Sequence, residues 1–246
     1  MSSDPQTSTN DCEASTDRAA RADCEASADR AARADREASI DGSAVSTAIR
    51  NELVRAPQIL VVCTGNICRS PMGEVVLGAK LRAAGNVGQK YAVASCGVSS
   101  EEHGNPIYPP AARILRAHGY EVPVRRAHRA TSRELTESGL ILAMTSGHAR
   151  SLRSMCADAG VPLSRIHLWR EFDGSGLTPA AEGCFGPGGT LDRQSISHSS
   201  GSGYSDFYSF DDAWDVPDPW YSGDFAATFS AVEAGAQGIV ALLAAN

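Results

Sequence analysis

Cys63 and Arg69 stand six positions apart in the stretch Cys63-Thr64-Gly65-Asn66-Ile67-Cys68-Arg69-Ser70. A thiol and a guanidinium at that separation suit displacement at a bound phosphate. Arg69 can grip two phosphate oxygens at once, and the same positive field stabilises a thiolate nucleophile. The spacing alone carries little. Cys12…Arg18 and Cys24…Arg30 repeat it, but with Glu and Asp between them and no glycine. Carboxylates inside such a loop would repel phosphate. The stretch from Cys63 holds no acid, and Gly65 permits the tight backbone that a phosphate cradle needs. Ser70 is placed to donate a hydrogen bond to the sulfur, and Asn66 to brace the loop from within.

These residues need a frame that aims them. Gln58-Ile59-Leu60-Val61-Val62-Cys63 is a short apolar, β-branched run and reads as a buried strand. Pro71 to Ala84 reads as a helix with proline in its first turn. A loop between strand and helix points successive backbone N–H groups at one spot and adds the helix dipole. Further strands are expected at Tyr91 to Ser95, Leu140 to Met144 and Arg165 to Trp169. Further helices are expected at Pro109 to His118, closed by Gly119, at Gly147 to Ala157 and at Phe225 to Ala245. Alternating strands and helices imply an α/β fold: a four-stranded parallel sheet with helices on both faces. The ligand site then lies at the carboxyl end of the first strand.

Two regions fall outside that rhythm. Asp11-Cys12-Glu13-Ala14-Ser15 recurs as Asp23-Cys24-Glu25-Ala26-Ser27 and, imperfectly, as Asp35-Arg36-Glu37-Ala38-Ser39, a period of twelve residues. Alanine is the only regular apolar surface there, too little for a core. Residues 1–55 are therefore expected to be a disordered tail and 56–246 the folded domain. Residues 173–213 are crowded with Gly and Ser and are expected to form a mobile insertion. Its aromatics Tyr204, Phe207, Tyr208 and Phe210 leave room for docking of an unknown partner, as does the tail.

The chain has 246 residues and a net charge of −7, a length that suits one good-sized domain. Residues 45–170 carry sixteen Lys and Arg against eight acids, whereas 171–220 carry nine acids and one Arg. The basic residues are scattered over several elements without interleaved aromatics, which argues against nucleic acid and for a small anionic substrate. No apolar run approaches the roughly 18 residues of a membrane span. The N-terminus has no basic start or apolar core of a signal peptide. With seven cysteines, an odd number, the expected setting is a reducing cytoplasm with free thiols.

The stretch Val62 to Glu74 resembles the signature of the low-molecular-weight protein tyrosine phosphatases, whose fold is the phosphotyrosine protein phosphatase I-like one. Ser95-Cys96-Gly97-Val98 resembles the family's second-strand segment, and Asp218-Pro219-Trp220-Tyr221 its late acid loop. The resemblance implies a protein tyrosine phosphatase that acts on phosphotyrosyl proteins through a phosphocysteine at Cys63 and needs no metal or cofactor. It assigns phosphate binding and loop support to Thr64, Gly65, Asn66, Ile67, Cys68, Arg69 and Ser70. It makes Asp218 the general acid and then the base. The residues alone support Asp218 more weakly, through the stiffening prolines 217 and 219, and leave Asp211, Asp212 and Asp215 as alternatives. Trp220 and Tyr221 become aromatic walls for the substrate ring, though packing of the loop would also account for them. Cys68 is implied as a reversible disulfide partner of Cys63, guarding it against over-oxidation; the alternative is a small buried residue.

Three positions depart from the family pattern. Thr145 stands where its tyrosine phosphatases usually have Asp, Glu101 where many have an aromatic, and no His lies nearer Arg125 than His128. Thr145 resembles relatives that act on phosphoarginine, so a protein arginine phosphatase is the main alternative. Ile67 argues against it, because a bulky apolar side chain suits an aromatic ring better than a guanidinium. An arsenate reductase of the same fold would need a cysteine near the third strand, where Thr145 stands and Cys156 comes too late. A non-catalytic phosphotyrosine-binding protein would have no need of Cys63, Arg69 and Asp218 together.

Overall fold

The computed structural model describes residues 42–86, 88–192 and 213–245. The repeats of the tail and the aromatics at 204–210 lie outside them. The chain divides into a unit ending at Ala44 and a unit from Val45 to Asn246. Of the first unit, residues 42–44 belong to the described set.

Four parallel strands form the sheet: β1 (Gln58–Cys63), β2 (Ala92–Gly97), β3 (Ser138–Ala143) and β4 (Ile166–Leu168), in the order β2-β1-β3-β4. β1 is central, and Ile59 to Val62 are fully buried because side chains on both faces meet helices. Ile59 and Val61 point to one core, Leu60 and Val62 to the other, the two-residue alternation of a strand. The helices are α1 (42–55), α2 (Arg69–Ala83), α3 (Pro109–Ala117), α4 (Ser132–Glu137), α5 (Ser146–Ala159), the short α6 (Pro219–Ser222) and α7 (Phe225–Ala244). α1, α2, α3 and α7 contribute to the first core, α4 and α5 to the second.

The expected α/β sandwich is thus the observed fold, and every expected strand and helix is present with ends shifted by a few residues. α1, α4 and α6 were not anticipated. α4 begins with a capping box, in which the Thr131 hydroxyl accepts from Glu134 N–H and the Glu134 carboxylate accepts from Thr131 N–H.

Two expected boundaries move. The tail does not extend to residue 55, because Val45, Ile49 and Leu53 are buried in the first core. Their spacing of four puts them on one helical face. Nor is the whole stretch from 173 an open insertion. Cys184 and Leu191 are buried in the second core, Cys184 N–H donates to Ile166 O at 2.8 Å, and Leu191 N–H donates to Cys184 O at 2.7 Å. A Cβ at Gly189 would run into the Gly183 carbonyl, so glycine here lets the chain double back on itself. Residues 193–212 lie outside the described set.

α7 is long and apolar enough to cross a membrane by composition, but Phe229, Val232, Ala236, Ile239 and Leu243 on one side of it are buried in the core. Gly235 and Gly238 let a 3₁₀ turn at Trp169–Phe172 approach: a Cβ at either position would meet the Trp169 ring or the Phe172 carbonyl. Glu171 in this turn forms a buried polar pair with His167 of β4. His167 Nδ1 lies 2.9 Å from Glu171 Oε2, and the Thr190 hydroxyl donates to Glu171 Oε1 at 2.7 Å. Glu171→Ala strips both partners at once. It is expected to destabilise the fold by about 3–5 kcal/mol, read as a lower urea midpoint at unchanged slope. An unchanged midpoint would show that this network contributes nothing.

Candidate active site

The loop from Cys63 to Ser70 joins the end of β1 to the start of α2. Among the described residues, no backbone N–H from Thr64 to Ser70 donates to a protein acceptor, which leaves the row as a nest for an anion. The loop turns at Asn66, whose φ of 58° is the one left-handed non-glycine backbone among the described residues. An asparagine tolerates that region better than most side chains. Cys63 is 3% exposed, and its Sγ lies 3.0 Å from Ser70 Oγ.

A buried network holds the strained turn. Asn66 Nδ2 donates to Ser70 Oγ at 3.0 Å and to Ser95 Oγ at 2.9 Å. Ser95 Oγ donates to Glu74 at 2.6 Å. Arg125 donates to Asn66 O at 3.1 Å and to Asn66 Oδ1 at 2.6 Å, and its Nε lies 3.5 Å from Glu74 Oε2. From this segment, Arg125 itself supplies the side-chain contacts to the loop. His128 contributes only its backbone N–H to Asn66, and its ring turns to Glu134 at 2.6 Å. Gly97 ends β2 against this loop, where a Cβ would strike the Thr64 carbonyl.

Asp218 reaches the loop from the other end of the chain. Its Oδ2 lies 2.7 Å from Arg69 Nη2, and its Oδ1 accepts from Trp220 N–H at 3.0 Å, capping α6. Of the alternatives, Asp215 is 8% exposed and accepts from Ser146 N–H at 2.7 Å, at the start of α5. Asp211 and Asp212 lie outside the described residues. Thr145 is the N-cap of α5, its hydroxyl accepting from His148 N–H at 3.1 Å. Thr serves a helix N-terminus much as Asp does, so this departure from the family pattern leaves α5 well capped.

The expected residues converge on one cleft of about 220 Å³. Cys63, Thr64, Gly65, Ile67, Cys68 and Arg69 line it together with Asp218, Trp220 and Tyr221. Asn66 and Ser70 are buried. Trp220 and Tyr221 are 57% and 87% exposed, which sets aside loop packing as their whole role; the Trp220 ring is tilted against Tyr108 at 5.3 Å. Burial above all, with Cys63 nearby, pushes the Cys68 thiol up to about 12, so it stays protonated at neutral pH. No set of three His, Cys, Asp or Glu residues arranged for a metal occurs among the described residues.

Beyond Glu101, already singled out as a departure from the family pattern, sequence reasoning missed Glu102 and His148 here. Glu101 and Glu102 also line the cleft, and the Glu102 side chain covers Gly65 so closely that a Cβ there would lie 2.7 Å from Glu102 Cγ. His148 touches the loop from α5, with Nε2 2.8 Å from Thr64 Oγ1. Burial and then Arg69 lower its pKa to about 3. Thr64, Arg69, Thr145, His148 and Asp218 border a second cleft of about 700 Å³ beside the first. A buried thiol beside a hydroxyl, an open row of amides, a guanidinium and a carboxylate can together carry a phosphoryl group through attack and release.

The comparisons with known proteins agree with this chemistry. Residues 58–181 match the family model described as low molecular weight phosphotyrosine protein phosphatase. The low molecular weight protein-tyrosine phosphatase A of Mycobacterium tuberculosis is 32% identical over 183 residues, covering 74% of this chain and 88% of the relative. The low molecular weight protein-tyrosine-phosphatase of Streptomyces coelicolor is 30% identical over 186 residues, covering 75% and 92%. Among solved structures, YfkJ from Bacillus subtilis superposes with a TM-score of 0.53 at 26% identity, covering 75% of this chain and 92% of that one. With a catalytic-type loop, a matching sheet and relatives aligned over nearly their whole length, the chain belongs to the low-molecular-weight phosphotyrosine protein phosphatase family.

Proposed function

We propose that this chain, a hydrolase of that family, removes phosphate from tyrosine on proteins through a phosphocysteine at Cys63. The Cys63 thiolate attacks phosphorus; the S–P bond forms and the P–O bond to the phenol breaks. Asp218 gives its proton to the departing phenolate. A water molecule then attacks phosphorus, the S–P bond breaks, and the proton of that water returns to Asp218. Arg69 and the loop amides bind the non-bridging oxygens through both steps. Ser70 donates to the sulfur when it leaves as thiolate.

The observation that carries this reading is the 2.7 Å pair between Arg69 and Asp218 at the mouth of the Cys63 loop. That contact supports Asp218 as the acid beside the guanidinium that would hold the phosphate. Ile67, Trp220 and Tyr221 in the same cleft support an aromatic leaving group. The catalytic unit is proposed to run from Val45 onward. Cytoplasmic location is part of the same reading, supported by the free thiols of Cys63, Cys68, Cys96, Cys156 and Cys184.

Purified protein assayed with matched phosphotyrosyl and phosphoarginyl peptides tests the choice of substrate. The expected result is a higher kcat/KM for phosphotyrosine. Preference for phosphoarginine would overturn the assignment and return weight to Thr145.

A further inference from the structure

His148 is a buried polar residue to which the reaction scheme gives no task. It sits in the first turn of α5 and is 6% exposed. Its Nε2 is hydrogen-bonded to Thr64 Oγ1 at 2.8 Å. Its Nδ1 has no hydrogen-bond partner among the described residues, so Thr64 is the one polar contact of the ring. Burial and Arg69 hold its pKa near 3. The ring is therefore neutral at physiological pH and sets no second cation beside Arg69.

Thr64 is the residue that most needs such a partner. It follows Cys63, opens the row of free amides, and is exposed. On the far side of the loop, Asn66 is held by Ser70, Ser95 and Arg125. On the near side, the Thr64 carbonyl accepts from Ser99 N–H at 3.0 Å, and the side chain is anchored by His148 alone. We propose that His148 is a positioning residue: through the Thr64 hydroxyl it clamps the Cys63 side of the phosphate loop, as Asn66 and its partners clamp the other. This rests on the reading of the loop as a phosphate site. α5 thus adds a side-chain anchor at Thr64 to the Ser99 amide on its carbonyl, while Ser95 and Arg125 hold Asn66 on the far side. Preorganised donors of this kind act on the transition state without reorganising.

The test uses the full chain carrying Thr64→Val, Thr64→Ser, His148→Ala, His148→Gln, or Thr64→Val with His148→Ala. Thr64→Val and His148→Ala are each expected to lower kcat/KM for a phosphotyrosyl peptide by about 10- to 100-fold. The double variant should be no worse than the poorer single one, because both remove the same interaction. Thr64→Ser restores turnover by keeping the hydroxyl, and His148→Gln recovers it in part by returning an amide near the position of Nε2. Affinity for inorganic phosphate, read by calorimetry, should fall in the same order. Wild-type kcat/KM in Thr64→Val, or losses that multiply in the double variant, would overturn the clamp. So would a His148→Ala protein whose loss tracks a lower Tm while Thr64→Val stays fully active. If the wild type binds inorganic phosphate but does not turn over the peptide, the functional reading fails, and the phosphate affinities of the series still decide the clamp.

Discussion

Cys63→Ser is expected to lower kcat toward phosphotyrosyl peptides by roughly 10⁴-fold or more, the scale on which loss of an enzymic nucleophile is felt. Serine is close to cysteine in size, and a hydroxyl fits the loop where the sulfur lies 3.0 Å from Ser70 Oγ. What it loses is an ionisable sulfur. An alkoxide is far harder to form at neutral pH than a thiolate, even in a positive field. Arg69 and the free amides from Thr64 to Ser70 are untouched, so inorganic phosphate should still bind. The loss therefore falls on kcat and not on affinity, the pattern of an interaction made in the transition state. Cys68 is a poor stand-in, because burial, the main cause of its raised pKa, persists in the variant. Quenched-flow trapping with radiolabelled substrate reads the outcome directly. The wild type, quenched in denaturing detergent, should show a labelled phosphoenzyme and Cys63→Ser none. Labelling that persists in the variant would place the nucleophile elsewhere.

The parts of this protein that were legible in the sequence are those whose partners are near in the chain. The strand, the acid-free loop with Gly65 and the helix after Pro71 occupy about two dozen contiguous residues, and local pattern sufficed. The network around Asn66 was not legible, because Ser95, Arg125 and Glu74 come from three separate segments and none carries a local signal. His148 was hidden for the same reason: a histidine in the first turn of a helix says nothing about a threonine 84 residues earlier. α1 could have been found, since Val45, Ile49 and Leu53 recur every four residues. The low-complexity repeats before it drew the boundary too far along the chain. Residues 173–192 misled through composition. Glycine there marks close backbone approach, as at Gly183 and Gly189, and not freedom from the core. Asp218 became legible through family resemblance, because four carboxylates within eight residues are equivalent until the fold assigns Asp215 to α5 and brings Asp218 to Arg69.

That ion pair makes the second large prediction unusually specific. Asp218→Ala should lower kcat for ordinary phenyl phosphates by about 10²- to 10⁴-fold, the range of a lost general acid. The size of the loss should depend on the leaving group. A phenol of low pKa departs without a proton, so its phosphate ester loses little. A tyrosine-like phenol needs the proton and loses most. A plot of the rate of phosphoenzyme formation against leaving-group pKa should be shallow in the wild type and steep in the variant. KM should not rise with the fall in kcat. In the structure the Asp218 carboxylate lies on the Arg69 guanidinium at 2.7 Å, and an incoming phosphate must share or displace it. Removing the carboxylate frees the guanidinium for the dianion and removes a negative charge from the mouth of the cleft. Ground-state binding should therefore hold or tighten while the chemical step slows. Equal losses for good and poor leaving groups would mean that Asp218 acts by orienting Arg69 and not by proton transfer. A raised KM would mean that the pair preorganises Arg69 for phosphate and does not compete with it. The two parameters thus separate the two roles that a single carboxylate plays at one guanidinium.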